Sequence, residues 1–133
     1  MSLAPSPELT VLGLAAILQA AQIGVAALAV ARDMGPGWSA GPRDTEPQYS
    51  PLTGRLRRAV GNHFEALILF TVAVVLVGFT QSGSALTAGA AWVYLAARLL
   101  YVPAYAFGWS PGRSIVFGLG FAATFVMIVA ALL

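Results

Sequence analysis

The stretch RSIVFGLGFAATFVMIVAALL, from Arg113 to Leu133, carries no charged side chain after its first residue. An α-helix needs about 20 residues to cross a hydrocarbon core ~30 Å thick, and this run is long enough. Three more apolar runs precede it. One extends from Glu8 to Ala31, uncharged after Glu8; a second begins near Arg55 and is apolar from Ala66 to Phe79; a third covers Ala85 to Tyr105. In lipid every backbone polar group must find its partner inside the segment or in a closed barrel. Run length and the lack of period-two alternation exclude the barrel. The expectation is therefore an all-α chain, an integral membrane four-helix bundle forming one domain over residues 1–133. Its helices are placed at about 8–32, 55–79, 85–106 and 113–133, with a loop over about 33–54. The first run is not read as a cleaved signal peptide, because Met1 to Pro7 holds no basic residue and the run is long for such a segment.

Composition points the same way. Of the 133 residues, 59% are hydrophobic and 9% charged, against about 45–50% and about 25% in soluble domains. A water-soluble chain so poor in charge would expose large apolar patches. With no cysteine, the chain has no disulfide framework, thiolate metal site or cysteine nucleophile, so any thiol chemistry must use a thiol brought by the substrate. No metal is expected. The formal net charge of +2 is too small to argue for nucleic acid.

The arginines set the topology. Arg32, Arg43, Arg55, Arg57 and Arg58 lie in or beside the first loop, and Arg98 and Arg113 flank the turn Gly108 to Gly112. With four spans all of them fall on one side of the membrane. The positive-inside rule puts that side, with the basic loops, in the cytoplasm and both termini outside. No internal repeat is evident, so an inverted-repeat transporter is not argued.

The second helix holds the most informative polar set. Arg58, Asn62 and Glu65 follow i, i+4, i+7 spacing and share one face. Glu65 is the one acid in that span, and an intramembrane carboxylate is costly unless paired, so it is expected to face the bundle interior and meet a cation. A structural ion pair with Arg98 is one reading. In the third helix Arg98, Tyr101 and Tyr105 again share a face, while Tyr94, a turn earlier, reads as an interfacial belt residue. An arginine inside an apolar run seeks a carboxylate or an anionic ligand. Arg113 and Ser114 open the fourth helix, where free backbone N–H groups favour an anion; snorkelling to lipid headgroups is the alternative for Arg113. Three helices thus bring arginines, hydroxyls, an amide and one acid to the same depth. Together they suit a polar anionic ligand that also carries a cationic group.

These residues resemble a family. Arg58-Ala59-Val60-Gly61-Asn62-His63-Phe64-Glu65 is similar to the Arg-Ala-x-x-Asn-x-x-Glu motif of the MAPEG proteins, the membrane-associated proteins in eicosanoid and glutathione metabolism. Arg98-Leu99-Leu100-Tyr101-Val102-Pro103-Ala104-Tyr105 resembles the Arg-x-x-Tyr-x-x-x-Tyr of that family's third helix, and Arg113-Ser114 the Arg-Ser that opens its fourth. Helix count, long first loop and short later turns agree, so the resemblance covers essentially the whole chain.

The resemblance implies a homotrimer with glutathione, as co-substrate, bound between subunits near the cytoplasmic face. Arg58, Asn62 and Glu65 would hold the tripeptide, Glu65 meeting its amino group, with Arg98, Tyr101 and Tyr105 contacting it from the third helix. Arg113 would stabilise the thiolate, with Ser114 assisting. A free thiol titrates at about 8.5, and a fixed cation favours the nucleophilic thiolate. A lipophilic co-substrate would enter from the lipid. The implied activity is a glutathione transferase or peroxidase acting on lipophilic electrophiles or lipid hydroperoxides. Phe117 stands where the prostaglandin-forming members have tyrosine, and His63 reads as an interface or interhelical hydrogen-bonding residue. The Gly41 to Asp44 run resembles bacterial members, so a bacterial inner membrane is expected. Two other readings stay open: a non-catalytic protein that binds a lipid or partner through the same basic pocket, and an exporter using Glu65 as a proton-coupling carboxylate.

Overall fold

The computed structural model describes residues 5–133. Among them, four helices are long and apolar enough to cross a membrane: α1 Pro7–Met34, α3 Pro51–Phe79, α4 Ala85–Ala106 and α5 Gly112–Leu132. A short α2, Pro36–Ala40, lies between α1 and α3. The described residues form helices and turns without a strand, and four apolar spans suit an integral multi-pass membrane protein.

The first interhelical segment is shorter than the 33–54 loop read from the sequence. Helix α1 continues to Met34, α2 occupies part of the connection, and α3 begins at Pro51 rather than near Arg55. Pro51 reads as a breaker in sequence, yet a proline in the first helical turn loses no hydrogen bond and supplies a preset φ. Ser50 completes that start, its Oγ accepting from the Thr53 amide at 3.3 Å. Ser6 and Pro7 open α1 in the same way. At α4, Ser84 and Thr87 form a reciprocal capping box, and the Thr87 hydroxyl also donates to Glu8 Oε1 at 2.6 Å. That bond fixes the start of α4 against the start of α1.

Helix α4 packs on α1, α3 and α5, and α3 also packs on α1 and α5, whereas α1 makes no contact with α5 among the described residues. The core is built from small residues and a few large ones: Ala15, Ala73, Ala91 and Ala123 surround Val11, Phe70, Tyr94 and Met127. Phe70 and Tyr94 stack with ring centroids 4.0 Å apart. Large apolar side chains such as Ile17, Leu28, Ile68 and Phe125 point outward. Lipid solvates such a surface, so packing, rather than removal of apolar area from water, holds the helices together.

Gly120 lets α5 pack closely on α4. A Cβ there would stand 3.4 Å from the Ala97 Cβ and 3.8 Å from Tyr94 Cδ2. Gly120→Ala is expected to be tolerated, whereas Gly120→Leu should destabilise the bundle by about 1–3 kcal/mol through overpacking. Thermal unfolding in detergent checks this; an unchanged Tm in the leucine variant would mean that α4 and α5 are not so closely apposed.

A polar cluster of Gln19, Gln22 and His63 is buried at the α1–α3 contact. His63 is fully buried, with Nδ1 2.9 Å from both Gln19 Oε1 and Gln22 Nε2. Gln19 Nε2 donates to the Val60 carbonyl at 3.0 Å. His63 is thus an interhelical hydrogen-bonding residue.

Candidate functional site

Arg58, Asn62 and Glu65 from α3, Arg98, Tyr101 and Tyr105 from α4, and Arg113 and Ser114 from α5 lie toward one end of the bundle. The helical repeat puts each trio on one face of its helix. The turn that delivers Arg113 is tight: Gly108 adopts φ 67°, and the Arg113 amide donates to the Trp109 carbonyl at 2.9 Å. Arg55 steadies the other side of this junction, its Nε donating to the Ala106 carbonyl at the C-terminus of α4 at 2.9 Å.

The expected site residues divide between two cavities. Asn62, Tyr101, Tyr105, Arg113, Ser114 and Phe117 line one of about 330 Å³. Glu65 and Arg98 line a second of about 180 Å³, with Tyr94, Phe121, Thr124 and others. Phe117 is a wall of both. Arg58 lines neither; its Nε donates to the Tyr105 hydroxyl at 3.0 Å.

The arginines rest on aromatic faces rather than on carboxylates. The Arg98 guanidinium lies 4.1 Å from the Tyr101 ring centroid. Tyr105 takes two, Arg113 at 4.8 Å and Arg58 at 5.9 Å. Such contacts contribute roughly 0.5–2 kcal/mol each and leave guanidinium N–H groups available to an anion. Among the described residues the one ion pair joins Arg32 to Asp33 at 4.0 Å, so none of the site arginines is neutralised by a carboxylate. Arg98 is the extreme case. It is 1% exposed, its Nη1 donates to Asn62 Oδ1 at 2.9 Å, and its Nε and Nη2 have no partner. A buried guanidinium left half-satisfied carries a desolvation cost that an anionic ligand would offset.

Three sequence expectations are corrected here. Glu65 was expected to face the interior and meet a cation, but it is exposed on the single chain and forms no ion pair. The Glu65–Arg98 bridge is absent because Asn62, one turn nearer the start of α3, takes Arg98 instead. Tyr94 is not a belt residue: it is buried against Phe70, and its hydroxyl has no hydrogen-bond partner. The role of Phe117 as a shared wall was not legible in the sequence. The reading of His63 as an interhelical hydrogen-bonding residue holds, with Gln19 and Gln22 as its partners; two glutamines three residues apart in an apolar span are a usable sign of such bonding, but nothing local pairs them with His63.

Among the described residues, no group of three or more His, Asp or Glu side chains gathers to hold a metal ion. Chemically, the arrangement offers a basic, aromatic-lined recess beside a buried, half-satisfied guanidinium and one carboxylate. A family model, that of the MAPEG family, matches residues 9–133. No curated protein and no solved structure matches the chain.

Proposed function

This chain belongs to the MAPEG family, and from that premise we propose that it is a membrane-bound, glutathione-dependent transferase or peroxidase acting on lipophilic electrophiles or lipid hydroperoxides. One observation carries the reading: Arg113 and Ser114 share a cavity with Asn62, Tyr101 and Tyr105, next to a buried Arg98 with two unpartnered nitrogens. Glutathione has two carboxylates, one ammonium and one thiol. Arg98 and Arg58 supply cations for the carboxylates, and Glu65 receives the ammonium. Asn62, Tyr101 and Tyr105 hold the tripeptide backbone. Arg113 stabilises the thiolate, with the Ser114 hydroxyl as a second donor. The thiolate attacks the electrophile, forming the new bond to sulfur. A leaving group departs, or a proton is taken up where the reaction is an addition; with a hydroperoxide the O–O bond breaks, the alcohol leaves, and a second glutathione displaces water from the oxidised sulfur to give the disulfide.

The assembly that suits this chemistry is a homotrimer. An exposed Glu65 in a spanning helix is costly against lipid, and a neighbouring subunit over that face would shield it. The basic loops face the cytoplasm, where glutathione is dissolved, both termini lie outside, and the membrane is a bacterial inner membrane. The lipophilic partner arrives from the bilayer.

The direct test is glutathione binding to the detergent-purified protein, followed by ultraviolet absorbance in the thiolate band. Saturable binding with a thiolate signal that vanishes in Arg113→Ala supports the enzyme. No binding at millimolar glutathione by a folded protein overturns it, leaving a non-catalytic protein that binds another anion through the same recess. Glu65→Gln should raise KM for glutathione about 10- to 100-fold with kcat changed less than about twofold, since hydrogen bonds to charged groups contribute about 1.5–3 kcal/mol. A fall in kcat with KM unchanged would place Glu65 in the chemistry instead.

A further inference from the structure

A separate groove of about 610 Å³ lies where α1 ends, bounded by α1, α2, the following loop and the start of α3. Its floor is apolar: Ile23, Ala26, Ala27 and Val30 follow i, i+3, i+4, i+7 spacing on one face of α1. Its rim is polar and basic, with Trp38 and Ser39 from α2, Arg43 and Tyr49 from the loop, and Arg57 from α3.

The rim is an ordered structure. Trp38 Nε1 donates to Thr45 Oγ1 at 2.9 Å, and the Trp38 and Tyr49 rings meet edge to face at 6.4 Å. Arg43 lies over Trp38 at 5.8 Å, and its Nε donates to the Ser39 carbonyl at 2.9 Å. Arg57 lies over Tyr49 at 4.8 Å. The Ser39 hydroxyl is buried and has no hydrogen-bond partner. None of the acids of this region, Asp33, Asp44 and Glu46, lines the groove. Asp33 is engaged elsewhere, accepting from the Ser50 amide at 2.8 Å.

We propose that this groove holds one anionic phospholipid from the leaflet on the basic side of the membrane. Its phosphate sits at Arg43 and Arg57, with the Ser39 hydroxyl as a further donor, and one acyl chain runs along the Ile23–Val30 face of α1. At about 1.5 Å per residue that face is roughly 10 Å long, the reach of the upper part of an acyl chain. The apolar floor favours a lipid over free phosphate, and the paired arginines favour an anionic over a zwitterionic headgroup. Trp and Tyr rings at a membrane boundary are suited to this headgroup level. The groove lies on the α1 side of α3, away from the Arg113 recess on α4 and α5, so the inference does not depend on the glutathione reading.

Native mass spectrometry of the detergent-purified protein, titrated with dioleoylphosphatidylglycerol or dioleoylphosphatidylcholine, tests it. Phosphatidylglycerol should bind more tightly, with Arg57→Ala weakening it ~5-fold and Arg43→Ala/Arg57→Ala ~25-fold. Arg32→Ala removes an equal charge outside the groove and should change binding less than ~2-fold. An equal loss in Arg32→Ala would mean diffuse attraction and overturn the site. So would displacement of the lipid by inorganic phosphate at millimolar concentration, which would indicate a phosphate site alone. Ala27→Cys, the one thiol in a cysteine-free chain, probes a protein occupant: efficient crosslinking between copies by a short bis-maleimide would assign the groove to a second subunit. If the arginine variants do not fold, a Trp92→Phe/Trp109→Phe chain still decides. Its Trp38 emission should be quenched by phosphatidylglycerol with brominated acyl chains more than by the phosphatidylcholine analogue, and equal quenching would overturn the proposal.

Discussion

Arg113→Ala is expected to lower kcat/KM for glutathione conjugation about 100-fold while leaving the protein folded. Two effects combine. At neutral pH a thiol titrating at about 8.5 is only a few per cent ionised, so losing the cation that holds it as thiolate costs up to about 30-fold. The remainder is the loss of a preorganised charge beside the reacting sulfur. The guanidinium rests on the Tyr105 ring at 4.8 Å and follows the tight turn before α5, a fixed position that suits the proposed role. A pH profile separates the two effects. The rate of the unaltered protein should be flat above about pH 7, whereas the variant's rate should climb about tenfold per pH unit until about pH 8.5, where the thiol ionises unaided. A parallel drop at every pH would show that Arg113 acts on the electrophile and not on the thiol.

Arg98→Met should separate ligand binding from stability. Arg98 is 1% exposed, has one hydrogen bond, to Asn62, and forms no ion pair. Replacing a buried charge with an apolar side chain of similar volume is often neutral or stabilising by about 1–4 kcal/mol. Methionine matches the length of the arginine stem and adapts to irregular space. Asn62 loses its donor but is only half-buried and borders the open recess, so its own cost is small. The variant's Tm in detergent is therefore expected to hold or rise. Glutathione affinity should fall about 10- to 150-fold, the equivalent of one charge-assisted contact to a carboxylate. A loss of about 3 kcal/mol in stability with affinity intact would make Arg98 a structural tie between α3 and α4.

Composition and residue spacing are enough to establish four membrane-spanning helices and which residues share a helix face. The first follows because lipid admits a backbone only as helices or closed-barrel strands, and the length and unalternating apolarity of Arg113 to Leu133 select the helix. The second follows from the 3.6-residue repeat, which ties Arg58 to Asn62 and Arg98 to Tyr101 whatever surrounds them. The motifs built on those spacings were enough to indicate the family. Start signals are half legible: Ser50-Pro51 reads as loop, though a serine cap followed by proline in the first turn is also how a helix begins.

Tertiary structure alone decided which of those faces is inside. Tyr94 and Glu65 lie in spans of similar character, yet one is stacked on Phe70 and the other is exposed. Local pattern does not distinguish them, because lipid-facing and core-facing positions are both apolar and periodicity loses its contrast in a membrane helix. The outcome rests on which helices approach closely, and that depends on small residues meeting across the bundle, as Gly120 meets Ala97. This close packing leaves Arg98 bonded to Asn62 instead of Glu65 and joins His63 to Gln19 and Gln22 across α1 and α3. It also sets Phe117 between the two cavities. These contacts join residues far apart in sequence, and side-chain shape selects them at distances that no local repeat encodes.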